Sequence, residues 1–370
     1  MTRLAVRNLF QNRTRLIISV GGVALALMLI LSLDAIVLWI QQRVTAYIDS
    51  SGADVFVAQS GVRNLHMASS SLPWDRSALV AEVDGVQSVT PILYATNVVA
   101  VGEERTIAYI IGLPRDALAG GPWIVRSGRA DPGRGGAVID QGIAEKSGVG
   151  LGDEVEIMGR TFEVVGLSGG TTSLTNSIAF IDSDDFSELR GNPGIISFLL
   201  VRTAPGASPP DVARRIESEV DGVTVQTRQE FAAQERRVVR DMSTDLVRIM
   251  NAVGFLIGLA VMGLTVYTAT LLRRGEYGVM KALGARNRDL YASVVVQALV
   301  SVGLGLAVGV GFTLVLSALV PRLASNLGLA VSLASVAKAA VASVIFAGAA
   351  ALLPIRQMRH LDPAMVFRGK

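Results

Sequence analysis

Four long stretches of this 370-residue chain carry almost no charge, and they limit its possible folds more than any other feature. Residues 16–40 contain one ionisable group, Asp34. Residues 249–272 and 290–320 contain none, and residues 331–355 contain only Lys338. About 20 apolar residues suffice for a helix to cross a bilayer, whereas helices buried in soluble cores rarely run this long without charges. The pattern predicts four transmembrane helices, at 16–40, 248–272, 290–320 and 331–355. A secretory signal also begins basic and turns apolar, but its apolar core runs to about 15 residues and ends at a small-residue cleavage site. Here the run is longer and is followed by Gln41-Gln42-Arg43, so a retained anchor is expected.

Composition agrees with this reading. Hydrophobic residues make up 51% and charged residues 18%, against about 25% charged in an average domain. The net charge of +3 gives no reason to expect nucleic acid as a partner. The absence of cysteine rules out disulfides, thiolate catalysis and cysteine-ligated metals. Basic residues set the expected orientation. Arg3, Arg7, Arg13 and Arg15 precede the first apolar stretch. Arg273, Arg274, Lys281, Arg286 and Arg288 separate the second from the third, and Arg356, Arg359, Arg368 and Lys370 follow the fourth. With four crossings all three groups fall on one side. Residues 1–15 (an interfacial helix), 273–289 and 356–370 are therefore expected in the cytoplasm, and 41–247 and the 321–330 loop outside. A multi-pass membrane protein with both termini cytoplasmic is therefore expected.

The outer region reads as a mixed α/β domain inserted between the first and second helices. ADVFVAQ at 53–59 alternates like a strand, as do TIAYIIGL, GGAVID, DEVEIMGRTFEVVGL and NSIAFID. MGRT at 158–161 suits a tight hairpin turn. Two segments echo one another: ALVAEVDGVQSVTPI and DVARRIESEVDGVTVQT each read as helix, then VDGV, then strand. They read as two halves of one helix–strand subdomain, with residues from 103 to about 190 inserted between them. Residues 230–250 and 47–51 are expected to form stalk helices that continue the spans outward.

Catalytic constellations are missing from the sequence. The only histidines, His66 and His360, fall on opposite sides of the expected membrane, and no metal site is expected. Nucleophile-elbow, zinc-protease and phosphate-loop motifs do not occur, so the chain is not expected to be an enzyme or to bind a nucleotide itself. LSGG at 167–170 spells an ATPase signature, but without a phosphate loop it is read as a chance loop sequence.

The charged segment between the second and third stretches, RRGEYGVMKALGARNRDL, admits two readings. It is either a short helix offered to a soluble partner or a loop made basic by orientation alone. As a helix it would place Val279, Met280 and Leu283 about one face, with Glu276 in the first turn, Lys281 further on and Gly284 as a stop. Gly305 and Gly309, four apart, suit close helix packing within the subunit or a dimer seam. Asp34, towards the outer end of its span, is either functional or a carboxylate reaching the headgroups.

RRGEYGVMKALGARNRDLY resembles the segment between the second and third spans of FtsX/MacB-type ABC transporter permeases. The ending PIRQMRHLDPAMVFRG and the opening LAVRNLFQNRTRLIISVGGVALA are similar to those of the same family. GADVFVAQSG and GGAVIDQGIAEKSGVGLGDEVEIMGRTFEVVGL resemble its extracytoplasmic domain. The resemblance implies a homodimer of permeases loaded with two copies of a separate ATPase that binds ATP and Mg, this chain binding no cofactor itself. It implies that Glu276, Tyr277, Gly278, Val279, Lys281, Ala282, Leu283, Gly284 and Ala285 form the helix that docks on the ATPase. It further implies a type VII, mechanotransmission mode, in which ATP hydrolysis drives work on the outer side. The expected function is export or extraction of a hydrophobic or amphipathic substrate. The alternative is an FtsX-like signalling scaffold that activates cell-wall hydrolases without moving anything. An extracytoplasmic adaptor or hydrolase would be the outer partner. With few ionisable groups to line a polar channel, a substrate pocket is expected near the outer end of the first span, around Asp34, Val37, Leu38 and Gln41.

Overall fold

The computed structural model describes residues 13–66, 68–173, 176–272, 274–283, 285–323 and 328–359. The interfacial helix expected at 1–15 and the tail beyond 359 therefore lie largely outside the described residues. The chain divides into two units, Ile40–Met242 and a helical unit made of Met1–Trp39 with Ser243–Lys370.

In chain order, helices α1 (Arg13–Val44) and α2 (Ala46–Ser50) precede strands β1 (Val55–Gln59) and β2 (Leu72–Pro73), helix α3 (Arg76–Ala81), and strands β3 (Val86–Val101) and β4 (Glu104–Leu113). There follow β5 (Val125–Gly128), β6 (Gly136–Asp140), α4 (Gln141–Ser147), β7 (Glu154–Ile157), β8 (Arg160–Ser168), β9 (Thr172–Ser173), β10 (Asn176–Asp182) and α5 (Ser183–Arg190). The chain continues through β11 (Ile195–Ile196), β12 (Phe198–Thr203), α6 (Pro209–Glu219), β13 (Val223–Thr227), and the helices α7 (Arg228–Leu272), α8 (Arg274–Ala282), α9 (Asn287–Leu323) and α10 (Leu333–Arg359).

The α/β unit has two lobes. In the first, the strands lie in the order β13–β1–β12–β3 and every neighbouring pair is antiparallel. The chain path β1–α3–β3 and then β12–α6–β13 makes this a split βαβ, ferredoxin-like sheet. The two VDGV segments sit at equivalent places, each joining a helix to a strand. Alternate residues explain why these strands read as almost continuously apolar: both faces are covered. Val55, Val57, Leu199, Val201, Val223 and Val225 pack with Val80, Val83, Val212 and Ile216 of α3 and α6 and the residues that follow them. Phe56, Ala58, Phe198 and Leu200 point the other way, to Tyr47, Ile48, Phe231 and Ala232 of α2 and α7.

The second lobe is inserted between β3 and β12. Strand β3 serves both lobes: Val86–Ile92 pair with β12, and Leu93–Val101 pair with β4. The sheet then runs β4–β10–β6–β8–β5, with β7 bridging β3 and β8. Its core includes Ile110, Ile139, Phe162, Val164, Ile181 and Phe186. Local chemistry sets the helix ends. Asp140 and Asp182 cap α4 and α5 by accepting from the backbone N–H groups of Gly142 and Asp184, both at 2.9 Å. Met158 and Gly159, at φ of 55° and 83°, form the two-residue turn between β7 and β8.

The helical unit packs by close approach. A Cβ on Gly305 would lie 2.7 Å from Val23 Cγ1, and one on Gly309 would lie 2.9 Å from the Ala24 carbonyl, so these glycines let α9 lie against α1. Gly303 and Gly311 have nothing within 4 Å. The core is correspondingly small-residue and aliphatic, with Val23, Leu27, Val294, Ala298, Ala339 and Ala347 among its members. Three helical stretches are long and apolar enough to cross a membrane: Leu16–Val44, Val247–Leu272 and Leu290–Pro321. In α10 the apolar stretch among the described residues is shorter, Leu333–Ala349, so the fourth expected span falls below that length.

Candidate functional site

The segment between the second and third long helices is helical. In α8, Glu276 occupies the first turn and Lys281 the last, each complementing the helix dipole. The Leu283 N–H donates to the Val279 carbonyl at 3.0 Å, and the Ala285 N–H to the Met280 carbonyl at 2.9 Å. The second bond spans five residues, as in a Schellman ending, with Gly284 between the bonded groups; Gly284 itself lies outside the described residues.

The helix sorts its apolar residues to two sides. Met280 and Ala285 pack against the helical-unit core, and Gly278 is buried. Glu276 is exposed, Val279 is 43% exposed and Leu283 is 83% exposed. The expected grouping of Val279, Met280 and Leu283 on one face is thus corrected. Met280 sits at the edge of that face, about 100° around the helix from Val279, where it is half-buried against the helical-unit core, and Glu276, Val279 and Leu283 form the outward stripe at i, i+3, i+7 spacing. Tyr277 and Ala282 lie in the backbone of the same helix.

Of the four residues expected to line a substrate pocket, Asp34, Val37 and Leu38 lie on α1 within the helical unit, and Gln41 lies on the same helix at the start of the α/β unit. All four are half-buried. Two cavities of about 360 and 350 Å³ belong to the α/β unit and are lined by none of these four. What sequence spacing missed is the pairing of the two ionisable residues of the long apolar stretches. Lys338 Nζ of α10 lies 3.6 Å from Asp34 Oδ1 of α1. The residues are 304 positions apart, so only the fold brings them together. The one available signal is that each stretch carries a single charge, and the charges are opposite. In lipid an isolated charge costs on the order of 3 kcal/mol on insertion scales, which pairing reduces.

The LSGG segment has a structural role. Ser168 Oγ donates to the Ile139 carbonyl at 3.3 Å and lies 2.5 Å from Thr171 Oγ1, which donates to Asp140 Oδ2 at 2.6 Å. The network ties β8 to β6 beside the α4 cap. Among the described residues no group of three or more His, Asp or Glu side chains is placed to hold a metal.

Known proteins resemble the chain over its whole length. A family model described as a MacB-like periplasmic core domain matches residues 16–219, and one described as an FtsX-like permease C-terminal region matches residues 248–363. An uncharacterised ABC transporter permease of Mycobacterium bovis is 25% identical, with 99% of each chain covered. Another from Methanocaldococcus jannaschii is 23% identical over 99% of this chain and 97% of that one. A macrolide export ATP-binding/permease protein, MacB, of Rhodopseudomonas palustris is 35% identical over 129 residues, which is 33% of this chain and 19% of that protein. Among solved structures, the extracellular domain of the noncanonic ABC-type transporter YknZ from Gram-positive bacteria aligns with 47% of this chain at 18% identity and a TM-score of 0.37. The periplasmic region of MacB from Actinobacillus actinomycetemcomitans aligns with 50% at 14% identity and a TM-score of 0.39.

Proposed function

Because this chain belongs to the MacB- and FtsX-like family of ABC transporter permeases, we propose that it couples ATP hydrolysis by a separate ATPase to export or extraction of a hydrophobic or amphipathic substrate. The observation that carries the coupling role is the outward stripe of α8: a charged residue and two exposed apolar ones on a short helix between two membrane-length helices. An exposed apolar pair flanked by charge is what a partner's groove can bury. In this reading the segment Glu276–Ala285 docks on the ATPase, which holds ATP and Mg. Two permease chains and two ATPases form the working unit. The helices around α8 cross the membrane four times, α10 included, with both termini and α8 in the cytoplasm and the α/β unit outside. Conformational change then passes to the outer side, the mechanotransmission mode. Asp34, Val37, Leu38 and Gln41 are the proposed substrate contacts. The match of the MacB-like core domain to residues 16–219 favours the exporting branch over a scaffold that activates hydrolases.

The test is direct. Val279→Asp and Leu283→Asp are introduced and the chain is co-expressed with its ATPase in membranes, with a macrolide as first probe because one relative is named for macrolide export. We expect normal amounts of permease in the membrane, at least about tenfold less ATPase recovered with it, equivalent to about 1.4 kcal/mol or more, and loss of probe export. Full ATPase association together with full export in both variants would refute the docking assignment.

A further inference from the structure

We propose that the α/β unit contains a binding site for a small organic carboxylate, in the cavity where its two lobes meet. This goes beyond the transport reading and does not depend on it. The cavity, about 350 Å³, is lined by Leu65, His66, Tyr94, Met158, Arg190 and Phe198, among others. Its size falls within the range of small-molecule sites, which are apolar-walled with a few placed polar groups.

Arg190 Nη1 is buried without a hydrogen bond, and the buried Tyr94 hydroxyl has only the Thr96 hydroxyl beside it, a contact that favours the phenolate and so leaves the phenol proton unspent. Nearly all buried polar atoms are satisfied, and an orphan costs about 1–3 kcal/mol, more when charged. An orphaned guanidinium nitrogen and an unspent phenol proton on residues lining one cavity point to an occupant that would satisfy both. A role for Arg190 at the C-terminus of α5 does not explain the buried nitrogen, since a cation there needs only to sit near the last turn. The neighbouring carboxylates are engaged elsewhere. Glu188 pairs with Arg134 and Arg160, and Asp185 with Arg160.

The walls are fixed in advance. The Leu65 N–H donates to Glu235 Oε2 at 2.7 Å, and His66 Nδ1 lies 2.6 Å from Glu235 Oε1, which locks the 65–66 segment onto α7. His66 stands edge-on to Tyr109 at 4.6 Å between ring centroids; Tyr109 stacks on Tyr94 at 5.7 Å, and Tyr94 meets Phe198 at 6.4 Å. Met158 reaches the cavity from the first position of the β7–β8 turn, whose two-residue form sets its left-handed φ of 55°.

The chemistry selects the ligand. A guanidinium and a phenol are both donors, so they call for an acceptor-only headgroup. Tyr94 stays protonated. Burial raises its pKa well above the ordinary value, Tyr109 and Glu235 add to the rise, and only the nearby Thr96 hydroxyl opposes it. Arg190 is the one guanidinium in the cavity lining, which suits a single negative charge better than two and favours a carboxylate over a phosphate. Leu65, Phe198 and Met158 would cover a short apolar or aromatic body.

The experiment is calorimetric titration of the full chain in lipid nanodiscs with 2-naphthoate, its neutral isostere 2-naphthamide, and 2-naphthyl phosphate, with empty nanodiscs as the blank. Expected is one saturable naphthoate site per chain with a Kd at or below about 1 mM, and amide binding at least about tenfold weaker. Phosphate binding should be weaker than naphthoate binding. Arg190→Gln and Tyr94→Phe should each lower naphthoate affinity about tenfold, with Arg190→Lys retaining part of it and thermal unfolding unchanged. The proposal is overturned by the absence of saturable naphthoate binding beyond the blank, by equal affinity for the amide, by tighter binding of the phosphate, or by an Arg190→Gln chain that folds and binds as well as the original. Should Arg190→Gln not fold, the naphthoate–amide comparison on the unaltered chain decides alone.

Discussion

The two units of this chain solve the burial problem in opposite ways. In the α/β unit, large side chains go inside: Phe56, Phe162, Phe180, Phe186, Phe198 and Phe231 are all almost fully buried. In the helical unit the buried cluster is aliphatic, made of Ala, Val, Leu and Met with glycine-mediated contact and without a fully buried aromatic ring among the described residues, while Leu25, Leu256, Leu264, Phe312, Leu314 and Val344 are exposed. Only 33%, 29% and 28% of the three long apolar windows are buried within the protein. In water that surface would exceed what soluble monomers expose. With lipid as solvent the apolar exterior carries no penalty, and packing is set by how closely backbones approach. The difference teaches that hydrophobicity alone does not locate a core: residue size and the nature of the solvent do.

Substitutions should separate the two regimes. The largest effect is expected from Phe180→Ala in the second lobe, which should destabilise the α/β unit by about 3–5 kcal/mol. Leu256→Ala, at a 62% exposed position of α7, should change unfolding by less than about 1 kcal/mol, because lipid replaces the lost contacts. Denaturation of both variants in detergent micelles checks the pair; comparable losses would break the contrast. Next, Gly309→Leu should cost about 1–3 kcal/mol by overpacking against α1, whereas Gly303→Leu, with open space beside it, should be tolerated. Thermal melting ranks the two, and equal melting temperatures would count against close approach as the organising contact.

A pH titration sharpens the comparison from the other side. Burial raises the pKa of Tyr47 well above its ordinary value, and that of Tyr94 likewise. A raised folded-state pKa gives stability that is complete below the unfolded value, about 10 for tyrosine, and is lost as pH climbs from there towards the folded value. Each residue should therefore remove up to about 1.4 kcal/mol per pH unit above 10, and Tyr47→Phe or Tyr94→Phe should flatten that slope. Unfolding midpoints between pH 9 and about 11 supply the test; an unchanged slope in both variants would contradict the assignment. The smallest effect belongs to the Asp34–Lys338 pair. A double-mutant cycle with Asp34→Asn and Lys338→Gln should return a coupling of about 1 kcal/mol, and zero coupling would mean the two charges act independently.

Much of this was legible in the sequence, for identifiable reasons. Three of the four charge-poor stretches are helices long and apolar enough to cross a membrane, because a long run without charges leaves few other folds, while the fourth falls short among the described residues. VDGV after each helical pattern marked the paired halves of the ferredoxin-like lobe, since turn chemistry is local. β3 was harder: it begins as expected after VDGV, but one 16-residue strand shared by two lobes has no local signature. The α8 helix and its polarity could be read from Glu276, Lys281 and Gly284, yet periodicity could not decide that Met280 packs inward while Val279 and Leu283 stay out. That depends on where the rest of the bundle lies. His66 was visible only as an isolated histidine, because Glu235 is 169 residues away. The Asp34–Lys338 pair was hidden for the same reason.

The proposed topology puts the exposed apolar surface of the helical unit in a membrane, the α/β unit on the outer side and α8 in the cytoplasm. Single cysteines at Glu217, exposed on α6, and at Asn287, exposed at the start of α9, can be labelled cleanly because the chain has no cysteine of its own. With a membrane-impermeant maleimide on intact cells, we predict labelling at position 217, and labelling at 287 only after the membrane is permeabilised. Labelling at 287 but not 217 in intact cells would invert the orientation, and equal labelling of both would contradict a membrane between them.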